Sequence, residues 1–253
     1  MIFYFSATGN CKYVASRIAK VTKEEIVSIS DCIKSESYYF TIREGEGIGI
    51  ISPTYDFGLP TIVCDFFSKL ELSSEKNPYV YFIATYGTTC GQTGYMADKY
   101  INEKGYSLSA RFSVKMPDTW TPTFDLSDSN KVSKINSNAE PIIDEVIKKI
   151  KNKELGDFMK NKIPKFLYKV YYPTYEKKRT TDHFQVEDNC VGCGLCEKKC
   201  PVKAIQIQNG KPVWVKDKCV LCLGCLHRCP KFSIQYGKKT KNHGQYTNPN
   251  VRM

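Results

Sequence analysis

Residues 190–201 read Cys190-Val191-Gly192-Cys193-Gly194-Leu195-Cys196-Glu197-Lys198-Lys199-Cys200-Pro201, and the pattern returns at Cys219, Cys222, Cys225 and Cys229-Pro230. Every cysteine of the first run maps onto the second at one constant offset, 190 to 219 and 200 to 229. Three thiols, each two residues from the next, let one tight loop supply three corners of a compact cage; the fourth corner must come from elsewhere. The proline after the fourth cysteine turns the chain away and has no N–H to satisfy. Paired C-x2-C motifs also build four-thiolate zinc sites. Those sites show two separated pairs, not three evenly spaced cysteines followed by Cys-Pro. A disulfide framework fits poorly with eight cysteines in two phased copies.

Two runs of C-x2-C-x2-C-x3-C-P resemble the bacterial ferredoxin signature for a pair of [4Fe–4S] clusters, in which the fourth cysteine of each run crosses to the other cluster. The resemblance implies that Cys190, Cys193, Cys196 and Cys229 hold one cubane, and that Cys219, Cys222, Cys225 and Cys200 hold the other.

At 253 residues the chain has room for one or two domains and a sizeable core. No run approaches the roughly 20 apolar residues of a membrane helix. The start, Met1-Ile2-Phe3-Tyr4-Phe5-Ser6, has no basic flank and turns polar, unlike a signal peptide. Twelve cysteines without a secretion signal point to metal ligation in a reducing cytoplasm. Lys and Arg outnumber Asp and Glu 37 to 26, a formal +11. Eight thiolates and two oxidised cubane cores would bring the loaded protein to about +7. No nucleic-acid reader motif accompanies that charge, so an acidic protein partner is the better expectation.

Met1 to Phe5 is an apolar run suited to a buried strand. Ser6-Ala7-Thr8-Gly9-Asn10-Cys11 follows, and then Tyr13, Val14, Ile18 and Val21 recur at helical spacing. A strand, a small hydroxyl-rich loop and a helix N-terminus make a phosphate cradle, because free N–H groups and the positive dipole end face the anion. An Asn-capped helix after a tight turn reads equally well from this motif alone. Residues 25–30 alternate like a strand, and residues 48–51 form a second buried run ending at Ser52-Pro53-Thr54-Tyr55-Asp56-Phe57-Gly58. A helix is expected from about Pro60, a strand over 79–84, a helix over 93–104 and a last strand over 108–115. This alternation argues a parallel sheet covered on both faces. Loops 6–11, 53–58 and 85–91 leave the carboxyl ends of its strands, where ligands sit in such sheets.

Ser-x-Thr-Gly-Asn after the first strand resembles the FMN phosphate loop of flavodoxins, and the other two loops match in position those that sandwich the flavin ring. The whole chain resembles the flavodoxin–ferredoxin fusion proteins of anaerobic bacteria. The resemblance implies a doubly wound, five-stranded parallel sheet over residues 1–155, a basic linker over 156–181, a small α+β two-cluster ferredoxin domain over 182–237 and a tail over 238–253. It also implies that Ser6, Thr8, Gly9, Asn10 and Cys11 hold the phosphate of FMN, with Cys11 standing where flavodoxins more often carry Thr or Ser. Pro53, Thr54, Tyr55, Asp56, Phe57 and Gly58 would line one side of the ring, and Thr85, Tyr86 and Gly87 the other. A Gly58 peptide near the flavin N5 is expected, free to flip for want of a Cβ.

Residues 117–137 read as loop, with Trp120 packing its own loop, closing over the flavin or bridging the domains. A helix is expected over 138–155. Residues 157–181 set Phe158, Met159, Ile163, Phe166, Leu167, Val170 and Tyr171 beside seven basic residues. Such a stretch suits contact with a membrane surface, but two domains demand a connector, and a linker helix bent at Pro164 is the simpler reading. The tail is either disordered or laid along the first domain. Cys64 reads as a core residue and His227 as incidental to the second cysteine run. The function this implies is electron transfer between two [4Fe–4S] clusters and FMN, with redox proteins as partners. The alternative is an FMN-dependent reductase of a small organic substrate.

Overall fold

A computed structural model describes residues 1–74 and 77–253. The first domain runs β1 (Ile2–Tyr4), α1 (Asn10–Thr22), β2 (Ile26–Ser28), α2 (Ile29–Ser35), β3 (Tyr39–Ile42), β4 (Ile48–Pro53), α3 (Thr61–Lys69), β5 (Glu71–Ser74), β6 (Val80–Tyr86), α4 (Thr93–Glu103), β7 (Ala110–Lys115), α5 (Ser129–Lys151) and β8 (Gly156–Asp157). Its main sheet has the order β2-β1-β4-β6-β7-β8, every pairing parallel. The sixth strand, only two residues long, is the addition to the five expected; β3 and β5 pair apart as a small parallel sheet.

Successive side chains of a strand face opposite ways, and here both faces are buried. Phe82 and Ala84 of β6 join Phe3, Ile50 and the α3 residues Ile62 and Phe66 in one core. Tyr81 and Ile83 join Ile2, Ile51, the α1 residues Val14 and Ile18, and the α5 residues Ile143 and Ile147 in the other. The chain winds from β1 outward to β2, then crosses back to β4. The crevice above the carboxyl ends of β1 and β4 is therefore the switch point.

Three expectations needed correction. The strand over 25–30 stops at Ser28, whose hydroxyl accepts from Asp31 N and so caps α2. The helix expected from residue 138 begins at Ser129, because Asp128 Oδ1 accepts from the N–H groups of Asn130 and Lys131. Its first turns are exposed, so nothing there required an apolar face. Pro164 does not bend the linker helix; it stands just before α6 (Lys165–Lys178), in keeping with a residue that has no N–H to donate.

The second domain holds β9 (Phe184–Val186), α7 (Leu195–Lys199), β10 (Ile205–Gln208), β11 (Lys211–Trp214), α8 (Gly224–His227), β12 (Ile234–Tyr236) and α9 (Thr240–His243). β9 pairs with β12 and β10 with β11, both antiparallel. The two cysteine runs repeat in backbone as well as in sequence. Gly192 and Gly194 take left-handed φ of 65° and 72°, and Leu221 and Leu223 at the equivalent places take 52° and 51°. A leucine held there carries strain, so the wrapping of the loop, not the residue, dictates the conformation. Among the described residues no helix is long and apolar enough to cross a membrane.

Candidate functional site

The loop after β1 delivers the chain into α1 through Gly9, whose φ of 101° makes it the N-cap without a side-chain acceptor. No acidic residue lies in the first turn, so neither a cap nor a carboxylate meets the positive helix end. Ser6 Oγ accepts from Gly9 N at 3.1 Å. Cys11 is buried with Sγ 3.1 Å from Thr85 Oγ1, and burial pushes its thiol up to about 12. Its contribution to an anion is thus the backbone N–H of the first helical turn.

After β4 the chain makes a two-residue turn in which Tyr55 and Gly58 exchange N–H···O bonds of 2.9 Å each. Asp56 and Phe57, the turn's centre, take φ of 44° and 71°, the pairing of a type I′ turn, which is strained for a bulky phenylalanine. The turn sets the Tyr55 ring between those of Phe5 and Tyr175 and the Phe57 ring against Tyr171. Thr54 Oγ1 is buried with no hydrogen-bond partner. After β6, Gly87 makes room for Asp118, whose carboxyl would collide with any Cβ there. Asp118 accepts from Thr88 Oγ1 at 3.2 Å and Trp120 N at 3.1 Å, and burial raises its pKa.

These loops open onto one cavity of about 620 Å³. Ser6, Thr8, Asn10, Cys11, Pro53, Thr54, Tyr55, Asp56, Phe57, Thr85, Tyr86 and Gly87 all line it. Gly9 and Gly58 do not. A Cβ on Gly58 would run into the ring of Tyr172 on α6, so the missing side chain serves helix packing. The cavity does not stop at the first domain. Trp120, Tyr175, His183, Leu221, Cys222 and Tyr236 complete its wall. Trp120 packs on Tyr236 across the domain seam, ring centroids 5.6 Å apart, and also lines the cavity. Burial, then the Cys222 sulfur, pushes the Tyr55 phenol well above its ordinary value. Sequence reading missed this far wall because no local pattern announces which parts of two domains will meet.

The eight cysteines of the two runs gather into two hollows. Cys190, Cys193, Cys196 and Cys229 line one; Cys200, Cys219, Cys222 and Cys225 line the other, so each hollow has three cysteines of one run and the fourth of the other. Ala204 N donates to Cys200 Sγ at 3.2 Å and Ser233 N to Cys229 Sγ at 3.3 Å, again at equivalent places. Burial raises the thiols of Cys196 to about 11 and Cys219 to about 12, so ligation must take up the cost of the thiolate. The remaining cysteines face inward: Cys90 Sγ donates to Lys160 O at 2.9 Å, and Cys64 lies 3.7 Å from Tyr172 Oη.

A family model of the flavodoxin domain matches residues 1–141, more than half of the chain. The chain belongs to the flavodoxin-domain family. A model of the 4Fe–4S dicluster domain matches residues 189–234. No curated protein matches the chain. Among solved structures, the rubredoxin oxygen:oxidoreductase of the anaerobe Desulfovibrio gigas matches at 14% identity and a TM-score of 0.33, over 57% of this chain and 35% of that one. This chain therefore spans well under two thirds of that protein's length. The flavodoxin domain implies FMN and the dicluster domain two [4Fe–4S] clusters, a pairing that supports a redox role. The chain's residues fit both groups. The flavodoxin domain offers an uncapped helix start for a phosphate and an orphaned Thr54 hydroxyl on the cavity wall. The dicluster domain offers four thiols round each hollow.

Proposed function

We propose that the protein is an electron carrier that connects the cubane of Cys200, Cys219, Cys222 and Cys225 to an FMN in the cavity. One observation carries this reading: Cys222, a ligand of that cage, is itself part of the cavity wall. A bound flavin takes one or two electrons and each cubane passes one, so a chain holding both joins two-electron to single-electron traffic.

The protein's own part is to hold, orient and dry the site. First-turn N–H groups of α1 with the hydroxyls of Ser6 and Thr8 hold the phosphate, and the loops of Tyr55 and Tyr86 flank the ring. Trp120, Leu221 and Tyr236 keep water from the seam. Tyr175 Oη donates to Val220 O at 2.7 Å, fastening α6 to the loop that carries Cys222. Lys178 Nζ binds Asp56 Oδ2 at 3.0 Å and ties the same helix to the flavin loop. Asp118, with no cation beside it among its bonded partners, holds a proton on its carboxyl more tightly than an exposed aspartate would. The cage of Cys190, Cys193, Cys196 and Cys229 is the outer one: Cys193 is exposed and Val191 is 60% exposed. Electrons from an acidic redox protein enter or leave there, helped by the chain's net positive charge.

A reductase reading has one observation in its favour. The cavity continues past the flavin loops to Phe124, Lys177 and His183, room and charge for a small anionic substrate. Anaerobic protein carrying iron, sulfide and flavin separates the two. Bleaching by a reduced ferredoxin but not by NADH or NADPH supports the carrier. Bleaching by a nicotinamide alone supports the reductase.

A further inference from the structure

The last ten residues lie behind the phosphate loop, outside the cavity, and touch it at four points. Asn248 N donates to Thr8 O at 2.7 Å, and Asn248 Nδ2 donates to Asn10 Oδ1 at 3.2 Å. Tyr246 Oη donates to Asn10 Oδ1 at 2.7 Å. Gly9 is packed so closely that a Cβ there would meet Asn248 Cβ at 2.9 Å and Val251 Cγ2 at 3.0 Å. Tyr246 and Asn248 are buried although they stand near the chain's end.

The same segment is fixed to the cluster domain. Gln245 Nε2 donates to Leu226 O and to the carbonyl of Cys229, an outer-cage ligand, at 2.6 and 2.8 Å. Tyr246 N donates to His227 Nδ1 at 3.2 Å, and His227 Nε2 reaches Thr119 O at 2.8 Å. His227, expected to be incidental, is a buried joint between three segments.

We infer that residues 246–251 form a strap that sets the phosphate loop for a phosphorylated flavin. In a trans peptide the C=O and N–H point opposite ways. A Thr8 carbonyl held by Asn248 N turns the Gly9 N–H to the opposite side, where Ser6 Oγ accepts it at 3.1 Å and the loop is fixed. Gly9, free to take either sign of φ, would otherwise let that peptide flip. Asn10 spends its side-chain oxygen on the strap, which leaves backbone N–H groups and the Ser6 and Thr8 hydroxyls to the phosphate. Tyr246 and Asn248 are thus positioning residues that act on the phosphate end of the ligand only. The inference rests on the phosphate placement proposed above.

Riboflavin, which lacks the phosphate, tests it. Cluster-loaded, flavin-stripped protein is titrated with FMN and with riboflavin by fluorescence quenching. The variants are Tyr246→Phe, Asn248→Ala and a chain ending at Gln245; iron and sulfide content shows that each has kept its cluster domain. The expected result is a loss of FMN affinity of about fivefold per hydrogen bond removed, and tenfold or more for the shortened chain, with riboflavin affinity unchanged. Equal losses for both flavins, or an FMN preference preserved in all three variants, would overturn the strap alone. Equal affinity of the unaltered protein for both flavins would remove the phosphate placement and the strap with it.

Discussion

Burial sets the proton affinity of Asp118, and the sign of its effect on stability follows from linkage. Its folded-state pKa lies above the ordinary 3.8, chiefly by desolvation. The folded protein therefore binds this proton more tightly than the unfolded chain does. The associated stability is fully present below the unfolded value and is lost as pH rises through the folded one. At neutral pH the ionised carboxyl is a net cost. Asp118→Asn keeps an acceptor for Trp120 N, so it should raise the thermal midpoint at pH 7.5 by more than at pH 5. An equal change at both values would show that the charge carries no cost. Gly58 argues at the same scale. An alanine would drive its Cβ into the Tyr172 ring, with a cost of about 1–3 kcal/mol, read as a lower denaturation midpoint. Gly58 is plain in the sequence, but its partner stands more than a hundred residues later, and no spacing rule links the two. The opposite holds for the eight cysteines, whose two phased runs are plain in a local pattern, while their crossed sets are what the ferredoxin resemblance implies.

Elements with a buried face could be read from periodicity; those whose ends are set by a cap could not. The strands β4 and β6 are buried along nearly their whole length, and their apolar runs marked them within a residue or two. The start of α5 is polar and exposed, so composition pointed to a loop while Asp128 alone decided otherwise. The helix α6 shows the limit most clearly. Its sequence reads as a basic amphipathic stretch, yet the residues that do its work are tyrosines. Tyr172 donates to Leu59 O at 2.7 Å in the first domain, and Tyr175 to Val220 O at 2.7 Å in the second. One helix thus clips both domains with one phenol each. Tyr175→Phe should leave the Val220 carbonyl unsatisfied in a buried seam, costing about 1–3 kcal/mol. The loss should appear as faster limited proteolysis within residues 179–190, with the iron content unchanged. Unaltered cleavage would mean that the phenol does not hold the seam.

At the scale of the whole molecule the two domains differ in what keeps them folded. The flavodoxin domain has two extensive apolar cores, one on each face of its sheet. Among the described residues the dicluster domain's own cores are small, one of Leu221, Leu223, Leu226, Ile234 and Tyr236 and another of Cys200, Ala204 and Ile205, with ligand cysteines packed against both. A core that small leaves much of the folding free energy to the clusters, since ligand binding is folding free energy where no site exists in the unfolded chain. Removing iron anaerobically with a chelator should therefore unfold residues 182–237 while the parallel sheet survives. Hydrogen exchange would show it as loss of amide protection in β9 to β12 but not in β4 or β6. The cavity adds a consequence that neither domain predicts alone. Its far wall, its α6 clip and the segment behind its phosphate loop all depend on the dicluster domain, so iron loss should weaken FMN binding although no flavodoxin residue has changed. Iron-free protein that binds FMN as tightly as the loaded form would show that the flavin site is complete within the first domain, and that Cys222 on the cavity wall contributes nothing to holding the flavin.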